Sequence, residues 1–360
     1  MNIFTHLTTA LLGACLLISC HTDSQILTKP QPQEPSFYTG ADVSWMTEMM
    51  QQGHRFHTVE GQELPLLSLL RNYGLQAVRL RVWVDPTAHG NWCNAQDLLT
   101  KAQLADEQGM SIMVNFHYSD WWADPGKQNI PASWKGHTYE QMKTEVANHT
   151  REVLQLLKNH HITPRWIQVG NETSNGFLWP IGQADLHPEQ YAGLFKSGYD
   201  VCKEVFPKSA VLVHLDNGPD LSLYEWNLGL LKKYGAQWDM IGMSVYPYWS
   251  MKSGNFQSAD QVIEQSVANI RSLHHQFGCD VMVVETGMEC ADEQGQLASP
   301  EVLIESKRQL AKLLKLCRDS TEGHCSGVFY WEPECKPHTY RLGAFTEEGR
   351  PTPIMDAFRE

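Results

Sequence analysis

Two glutamates in this 360-residue chain stand where they could act on one substrate as an acid and a carboxylate. Glu172 comes directly after Gly170 and Asn171, which follow the apolar run 166–169. Glu285 follows a second apolar run, 281–284. A carboxyl that is desolvated at the end of a buried strand tends to have a raised pKa and can hold a proton near neutral pH. Cleavage of an acetal needs such an acid and, opposite to it, a carboxylate that acts as nucleophile or base.

The elements that would position these glutamates form a regular alternation of short apolar strands and helices. Such strands are typical of a parallel sheet that is covered by helices on both faces. Eight units favour a closed (β/α)8 TIM barrel over an open doubly wound sheet, and no linker interrupts residues 37–360. The predicted strands are Phe37–Ser44, Ala77–Trp83, Ser111–Phe116, Trp166–Val169, Ala210–Leu215, Met240–Ser244, Val281–Val284 and Gly327–Tyr330. The predicted helices are Glu63–Tyr73, Cys93–Gln108, Tyr139–His160, Pro188–Val205, Leu221–Tyr234, Ala259–Phe277, Glu301–Cys317 and Thr352–Phe358.

Polar and aromatic residues follow the predicted strands, and in a barrel the ends of those strands converge on one face. These residues are therefore candidates for binding a substrate beside the two glutamates. They are Asp42, Arg79, Arg81, His117, Trp121, Trp122, Asn171, His214, Tyr246 and Trp331.

Individual roles follow from the chemistry of these side chains. Arg79 and Arg81 have the same parity in one strand, and their positive charge would keep Glu285 ionised. Tyr246 could donate a hydrogen bond to the same carboxylate. Asn171 suits a hydrogen bond to a sugar 2-hydroxyl. The two histidines, His117 and His214, could fix hydroxyls or orient the acid.

Composition narrows the class of ligand. The formal net charge is -13 and no basic tract occurs, which argues against nucleic acid or an anionic membrane surface as a partner. No glycine-rich phosphate-binding motif follows the first strand. Of the 12 tryptophans, many lie in loop-like sequence near strand ends. They indicate a cleft that stacks flat ligands with polar edges, such as sugar rings.

The N-terminal segment is expected to be a signal peptide. An apolar run from Leu7 to Ile18 is too short to span a bilayer as an anchor. It leads into residues 17–20, LISC, which resemble a bacterial lipobox with Cys20 as the lipidated residue. The segment lacks Lys and Arg, so an ordinary cleaved signal peptide remains the alternative. We therefore expect a signal segment 1–20, a flexible tether 21–36 that contains three prolines, and an exported domain 37–360.

Seven cysteines lie beyond the signal segment, an odd number, so at least one cannot pair within the chain. Cys290 and Cys335 follow adjacent strands, and we expect a disulfide between them that braces the loop beside Glu285. The alternative is free thiols, with Cys317 and Cys325 as the closer pair. Zinc-site spacings are absent, as are the HxH of a first strand and the strand-end lysine of barrel metal hydrolases.

Taken together, the residues resemble glycoside hydrolase clan A and, within it, family 53, the endo-β-1,4-galactanases, also called arabinogalactan endo-β-1,4-galactosidases. The resemblance spans residues 37–358. Its most specific block is 117–128, HYSDWWADPGKQ, whereas Gly170-Asn171-Glu172 is shared across the clan. The other matching pieces are 40–44, 78–83, 168–172, 244–247, 284–287 and 330–333.

The resemblance implies that Glu172 is the acid/base and Glu285 the nucleophile of a retaining enzyme on the β-1,4-galactan of type I arabinogalactan and pectin. We expect the enzyme to act as a monomer. Bacterial members of the family can carry a structural calcium in the loops after strands seven and eight. Here the first loop offers Asp292 and Glu293, but the second is short and contains Cys335. Six to eight oxygens cannot be assembled, so no required metal is predicted.

Two other functions stay open at the level of sequence. One is a different clan A endo-glycanase, such as a mannanase or a β-1,4-glucanase. The other is a non-catalytic surface lipoprotein that binds glycans. Loss of one carboxyl would be the signature of that last class, and both are present.

Overall fold

The computed structural model describes residues 35–360, in which eight parallel strands close into a barrel in sequence order. The predicted single (β/α)8 barrel is confirmed. The strands are β1 (Tyr38–Asp42), β2 (Ala77–Val82), β3 (Ser111–Phe116), β4 (Trp166–Val169), β5 (Ala210–Leu215), β6 (Met240–Val245), β7 (Val281–Thr286) and β8 (Cys325–Trp331). The expected signal segment 1–20 lies outside the described residues, as does the tether except for residues 35 and 36.

Helices cover the outside of the barrel. The α-helices are α1 (Met46–Gln51), α2 (Leu66–Asn72), α3 (Ala95–Glu107), α4 (Tyr139–Asn159), α5 (Pro188–Val205), α6 (Leu221–Lys233), α7 (Pro247–Lys252), α8 (Ala259–Phe277) and α9 (Pro300–Asp319). Short 3-10 segments occupy Thr87–His89, Ala132–Trp134 and Pro353–Arg359. The sequence did not predict α1 and α7, since six residues are too few to display a helical period. In residues 35–360, no helix is long and apolar enough to cross a membrane.

Alternation along the strands separates two parts of the core. Side chains of one parity pack against the helices, while those of the other parity fill the barrel interior. At the amino ends of the strands the interior is apolar, with Tyr38 and Trp166 in edge-to-face contact at 4.8 Å. Towards the carboxyl ends the same rows continue as Asp42, Arg79 and Asn115, which are all fully buried. The barrel interior is therefore apolar at the amino ends of the strands and polar at their carboxyl ends.

An irregularity in β7 changes the direction of Glu285. Met282 and Val284 belong to the interior cluster, so strict alternation would turn the next residue out towards the helices. The pairing of β6 with β7 shifts at this point: Met243 pairs with Val283, but Ser244 pairs with Glu285. The bulge skips Val284 and returns Glu285 to the inside of the barrel.

The expected disulfide between Cys290 and Cys335 is wrong, because both are buried free thiols. Each sulfur faces a main-chain carbonyl: Cys290 Sγ lies 3.7 Å from the oxygen of Phe345, and Cys335 Sγ lies 3.7 Å from that of Tyr340. The two loops are thus held by packing and hydrogen bonds. Cys317 and Cys325, the alternative pair, are free thiols as well. A hydrogen bond with Cys325, together with burial, raises the pKa of the Cys317 thiol.

Candidate active site

A cavity of about 610 Å³ opens at the carboxyl ends of the strands, and both glutamates line it. Its wall combines carboxyl, amide and hydroxyl groups with aromatic rings. The lining includes His117, Trp122, Asp124, Asn171, Glu172, Asp216, Asn217, Ser244, Tyr246, Trp249, Glu285, Trp331 and Tyr340. Seven of the residues predicted from sequence are therefore brought together in this cavity: His117, Trp122, Asn171, Glu172, Tyr246, Glu285 and Trp331.

A sharp turn after β4 presents Glu172 to the cavity. Gly170 has φ +80°, and a Cβ at this position would clash with the methyl group of Thr173. Glu172 itself has φ +45°, a left-handed conformation that is uncommon outside glycine. The main chain is fixed from β5, because Thr173 N–H donates to the carbonyl of His214 at 2.8 Å. An uncommon backbone conformation over-determined by its neighbours is a recurring feature of functional sites.

A chain of hydrogen bonds runs from His214 to the carboxyl of Glu172. The backbone N–H of Glu172 donates to His214 Nδ1 at 3.2 Å, so Nδ1 is an acceptor and the ring hydrogen sits on Nε2. His214 Nε2 then donates to Ser244 Oγ at 2.8 Å, and that hydroxyl donates to Glu172 Oε1 at 2.7 Å. Burial and the nearby Arg79 hold the pKa of His214 well below its usual value, so the ring is neutral. His214 therefore orients the acid from beneath the cavity.

The environment of Glu172 favours its protonated form. Burial raises the pKa of this carboxyl well above its ordinary value, and the negative charges of Glu285 and Asp216 raise it further. The hydrogen bond from Ser244 and the charge of Arg79 oppose the shift without reversing it. Asp216, which the sequence analysis missed, follows β5 and accepts a hydrogen bond from Ser174.

Glu285 has partners that favour its charged form. Arg79 Nη2 lies 2.8 Å from Oε1, and the Tyr246 hydroxyl donates to Oε2 at 3.0 Å. Burial raises the pKa of Glu285, whereas the charge of Arg79 and the hydrogen bond from Tyr246 lower it. When one proton is shared between the two carboxyls, it therefore resides on Glu172, and Glu285 is the carboxylate.

Arg79 lies beneath the cavity rather than in its wall and uses all three nitrogens. Nη1 binds Asp42 Oδ2 at 2.8 Å, Nη2 reaches Glu285 and Asn171 Oδ1, and Nε donates to Gln168 Oε1 at 3.1 Å. The side chain is fully buried. Because a buried guanidinium is costly to desolvate, this complete set of acceptors is what makes its position tenable. Asp42 thus supports the arginine from below and does not line the cavity.

Asn171 is anchored by both ends of its amide. Its Oδ1 accepts from Arg79 Nη2 at 2.8 Å and from Asn115 Nδ2 at 3.1 Å, while its Nδ2 donates to the carbonyl of Ala123 at 2.8 Å. These contacts determine which terminal atom of the Asn171 side chain is the oxygen and which is the nitrogen. The second hydrogen on Nδ2 remains for a ligand hydroxyl in the cavity.

Arg81 differs from the sequence-based expectation, because it pairs with Glu332 and not with Glu285. Its Nη1 lies 2.6 Å from Glu332 Oε1, and its guanidinium stacks 4.1 Å from the ring of Trp122. Glu332 has φ +43° and a pKa raised to about 7 by burial. The alternation rule placed both arginines on one face of β2, but it does not determine which carboxylate each guanidinium will contact. Arg81 therefore fixes the tryptophan that forms the cavity wall.

Aromatic rings form the rim of the cavity. The ring centroids of Trp122 and Trp331 lie 5.8 Å apart. Trp249, on α7, is 44% exposed. Trp121 does not line the cavity and instead stacks on His89 at 3.7 Å. Trp249 is one of the tryptophans in loop-like sequence that indicated a cleft for sugar rings, but it was not among the predicted site residues because α7 was not predicted.

His117 contributes to the wall as a neutral ring. Its Nδ1 accepts from the backbone N–H of Ala123 at 3.1 Å, which holds the loop that follows β3. Burial and the charges of Arg81 and Arg79 keep the pKa of His117 well below its usual value. The histidine thus presents an uncharged polar group to the cavity.

The loops after β7 and β8 do not provide the ligands for the structural calcium that the family resemblance suggested. Asp292 accepts hydrogen bonds from the main chain of its own turn, at Gln294 and Gln296. Glu289 pairs with Arg341 at 3.1 Å. A calcium site needs six to eight converging oxygens, and these carboxylates are committed elsewhere in the described loops. No step of the reaction is therefore assigned to a metal.

The chain is similar to known proteins in both sequence and structure. A model described as Glycosyl hydrolase family 53 matches residues 38–351. A probable arabinogalactan endo-β-1,4-galactanase A of Aspergillus terreus is 31% identical over 82% of this chain and 85% of that protein. An endo-β-1,4-galactanase of Bacillus subtilis is 28% identical over 86% of this chain and 72% of that protein. A fungal β-1,4-galactanase structure superposes with a TM-score of 0.77 at 27% identity, covering 89% and 98% of the two chains.

Replacing Arg79 by methionine should destabilise the protein by about 3–5 kcal/mol at neutral pH, because Asp42 and Glu285 are left as buried carboxylates without their counter-ion. Urea unfolding measures the change. The matched control is Arg55→Met, which breaks the exposed pair with Glu63 and should change stability by less than about 1 kcal/mol. Similar losses in the two variants would contradict the role given to Arg79.

Proposed function

The chain belongs to glycosyl hydrolase family 53, and on that basis we propose that it cleaves the β-1,4-linked galactan of type I arabinogalactan and pectin from within the chain. The observation that carries the proposal is the pair of glutamates in one cavity, where burial raises the pKa of Glu172 well above its ordinary value and Arg79 and Tyr246 bind the carboxylate of Glu285. One relative named as a probable arabinogalactan endo-β-1,4-galactanase and another named as an endo-β-1,4-galactanase match over most of the chain and support the choice of substrate.

In the first step, Glu172 gives its proton to the glycosidic oxygen as the bond to the leaving sugar breaks. A carboxylate oxygen of Glu285 attacks the anomeric carbon and forms a glycosyl ester. Both Glu285 oxygens are hydrogen-bonded, one to Arg79 and one to Tyr246, so the carboxylate is aimed before the substrate arrives. The free N–H of Asn171 is placed to bind the 2-hydroxyl.

In the second step, Glu172 is an anion and takes a proton from water, which attacks the anomeric carbon from the side that the leaving sugar vacated. The ester bond breaks, and Glu285 regains its charge. Two inversions give net retention of configuration, the mechanism general to this clan. Ionised Glu172 remains supported by the hydroxyl of Ser244. Each glutamate thus returns to its starting state after one turnover.

The proposal needs only one copy of the chain, because the carboxyls, Arg79 and the aromatic rim come from the same barrel. The cavity opens to solvent beside the exposed ring of Trp249, as an enzyme that admits the middle of a polymer requires. We therefore propose a monomer that acts as an endo-hydrolase.

Release of reducing ends tests the substrate. Purified protein should act on lupin or potato galactan and leave mannan and soluble cellulose derivatives intact. The Glu285→Ala variant, assayed beside it, should release nothing from any of them. Activity on mannan or cellulose derivatives but not on galactan would contradict the proposed substrate and show that the protein is a different endo-glycanase. Binding to galactan without release by the unaltered protein would make it a glycan-binding protein.

The acid role of Glu172 can be separated from the nucleophile role. Glu172→Ala should lower kcat/KM on galactan by about 100- to 10,000-fold, since the leaving sugar then departs without a proton. On an aryl β-galactobioside with a good leaving group, the first step needs no acid and should be much less affected. Equal losses on polymer and aryl substrate would contradict the assignment.

Ser244→Ala should move the alkaline limb of the pH profile of kcat/KM to higher pH. Activity is lost as pH rises through the pKa of Glu172, because the acid must be protonated. The Ser244 hydroxyl lowers that pKa by binding the carboxylate, so its removal raises the pKa. The control is Ser253→Ala in the same cavity, where the hydroxyl donates to a main-chain carbonyl. If the alkaline limb of Ser244→Ala stays in place or moves to lower pH, the Ser244 hydroxyl does not lower the pKa of Glu172 through its hydrogen bond.

We also propose that the protein is exported and anchored by lipid at Cys20. The apolar run before LISC and the proline-containing tether support this location. One acyl chain binds a membrane only weakly, so stable anchoring requires the several chains of a bacterial lipoprotein.

When the full chain is expressed in a bacterium that processes lipoproteins, Cys20→Ser should shift the protein from the membrane fraction to the soluble fraction. Fractionation followed by immunoblotting measures the change. Cys15→Ser, within the same segment, should leave the distribution as it is. A Cys20→Ser variant that stays with the membrane would exclude lipidation at this residue.

A further inference from the structure

Three side chains that no step of the reaction uses meet at the opposite end of the barrel. His274 lies in the last turn of α8, Asp280 directly precedes β7, and His324 directly precedes β8. One ligand atom from each lies within 4.8 Å of the others. All three are partly accessible, with side-chain exposures of 23%, 44% and 29%. The cluster therefore joins the start of two strands to the end of a helix and can be reached from solvent.

Its distances suit a small cation. The Nδ1 atoms of His274 and His324 lie 3.4 and 3.2 Å from the same oxygen, Asp280 Oδ1. In a tetrahedral zinc site with bonds of about 2.0–2.1 Å, neighbouring ligand atoms are about 3.3 Å apart. The observed nitrogen-to-oxygen separations match that value. An ion on the exposed side of these atoms would keep one position for water.

The two imidazoles are already brought together. Their rings stack with centroids 3.3 Å apart at 13°, and both Nδ1 atoms lie within 3.4 Å of the shared Asp280 oxygen. Because the two ring planes are nearly parallel, the rings must rotate apart before both Nδ1 lone pairs can point at one ion. Without a metal, Nδ1–H groups can donate to this oxygen, and His274 Nδ1 also lies 3.1 Å from the carbonyl of Cys279. Transfer of the ring hydrogens to Nε2 would turn both Nδ1 atoms into ligands for a cation.

The main chain fixes the three residues relative to one another. Val281 N–H donates to the carbonyl of His324 at 2.9 Å, which ties the starts of β7 and β8 together. Gly278 has φ +73° and ends α8, and its N–H donates to the carbonyl of His274 at 2.8 Å. Ligands that lie on such a scaffold lose little conformational entropy when an ion binds.

We propose that His274, Asp280 and His324 bind one Zn²⁺ ion, with water as the fourth ligand. Two imidazoles and a carboxylate are a ligand set that zinc accepts, and softer sulfur ligands are not needed. Asp280 and Glu285 are five positions apart along β7, or about 16 Å. The ion therefore takes no part in cleavage of the glycosidic bond. It clamps the amino ends of β7 and β8, and the carboxyl ends of the same strands carry Glu285 and Trp331.

Isothermal titration of Zn²⁺ into the chelator-treated full chain tests the site. The unaltered protein should bind one ion. Each of His274→Gln, Asp280→Asn and His324→Gln should weaken binding by at least about 100-fold, because removal of a ligand exceeds the loss caused by altering an outer partner. The matched control is His275→Gln, an exposed histidine whose ring lies 6.1 Å from that of His274. It should bind zinc as the unaltered protein does.

Far-UV circular dichroism of each variant checks that the barrel has folded. Asp280→Asn keeps the shape of the side chain, so it tests the site even if a histidine variant folds poorly. Failure of the unaltered protein to bind one zinc ion would overturn the proposal. Binding that persists in folded Asp280→Asn and His324→Gln would overturn it too, because the ion would then lie elsewhere. The outcome is independent of galactan cleavage, since neither the ligands nor the titration involves the cavity.

Discussion

The active face is built around the guanidinium of Arg79, a charge that is fully buried inside the barrel. A buried charge is tenable only where its donors meet acceptors. Arg79 meets them on three different strands or strand ends, with Asp42 from β1, Gln168 and Asn171 from β4, and Glu285 from β7. The arginine therefore sets the positions of the Glu285 carboxylate and of the Asn171 amide in one arrangement. Rigid strands hold those partners, so the geometry does not depend on the longer loops.

The same cation explains why two similar side chains can do opposite work. Both glutamates are buried, and burial raises the pKa of each. Glu285 has a cation and a phenol as partners, whereas Glu172 has the neutral pair Ser244 and His214. This asymmetry favours the charged form of Glu285 over that of Glu172, and acid-assisted nucleophilic attack requires such a difference between two carboxyls.

Sequence patterns predicted the barrel and much of the site, because short apolar strands and their polar ends are local features. Alternation placed Arg79 and Arg81 on one face of their strand. Strict alternation along β7 would turn Glu285 outwards, but a bulge that has no sequence signature restores the inward direction. Ser244 and Asp216 were missed as partners of Glu172, and Arg81 was given the wrong carboxylate, because contacts between distant strands depend on barrel register. The expected disulfide between Cys290 and Cys335 is wrong because the proximity of two loops does not determine the direction of the thiols that they carry.

The claim that Glu285 is a nucleophile poised opposite an acid is tested most directly by the anomeric form of the first product. Proton NMR during the first minutes of galactan hydrolysis distinguishes the two anomers before they interconvert. Attack by Glu285 followed by attack of water predicts that new reducing ends appear first as the β-anomer and only later equilibrate. Initial appearance of the α-anomer would mean that water attacks directly, and it would contradict the role of Glu285 as a nucleophile.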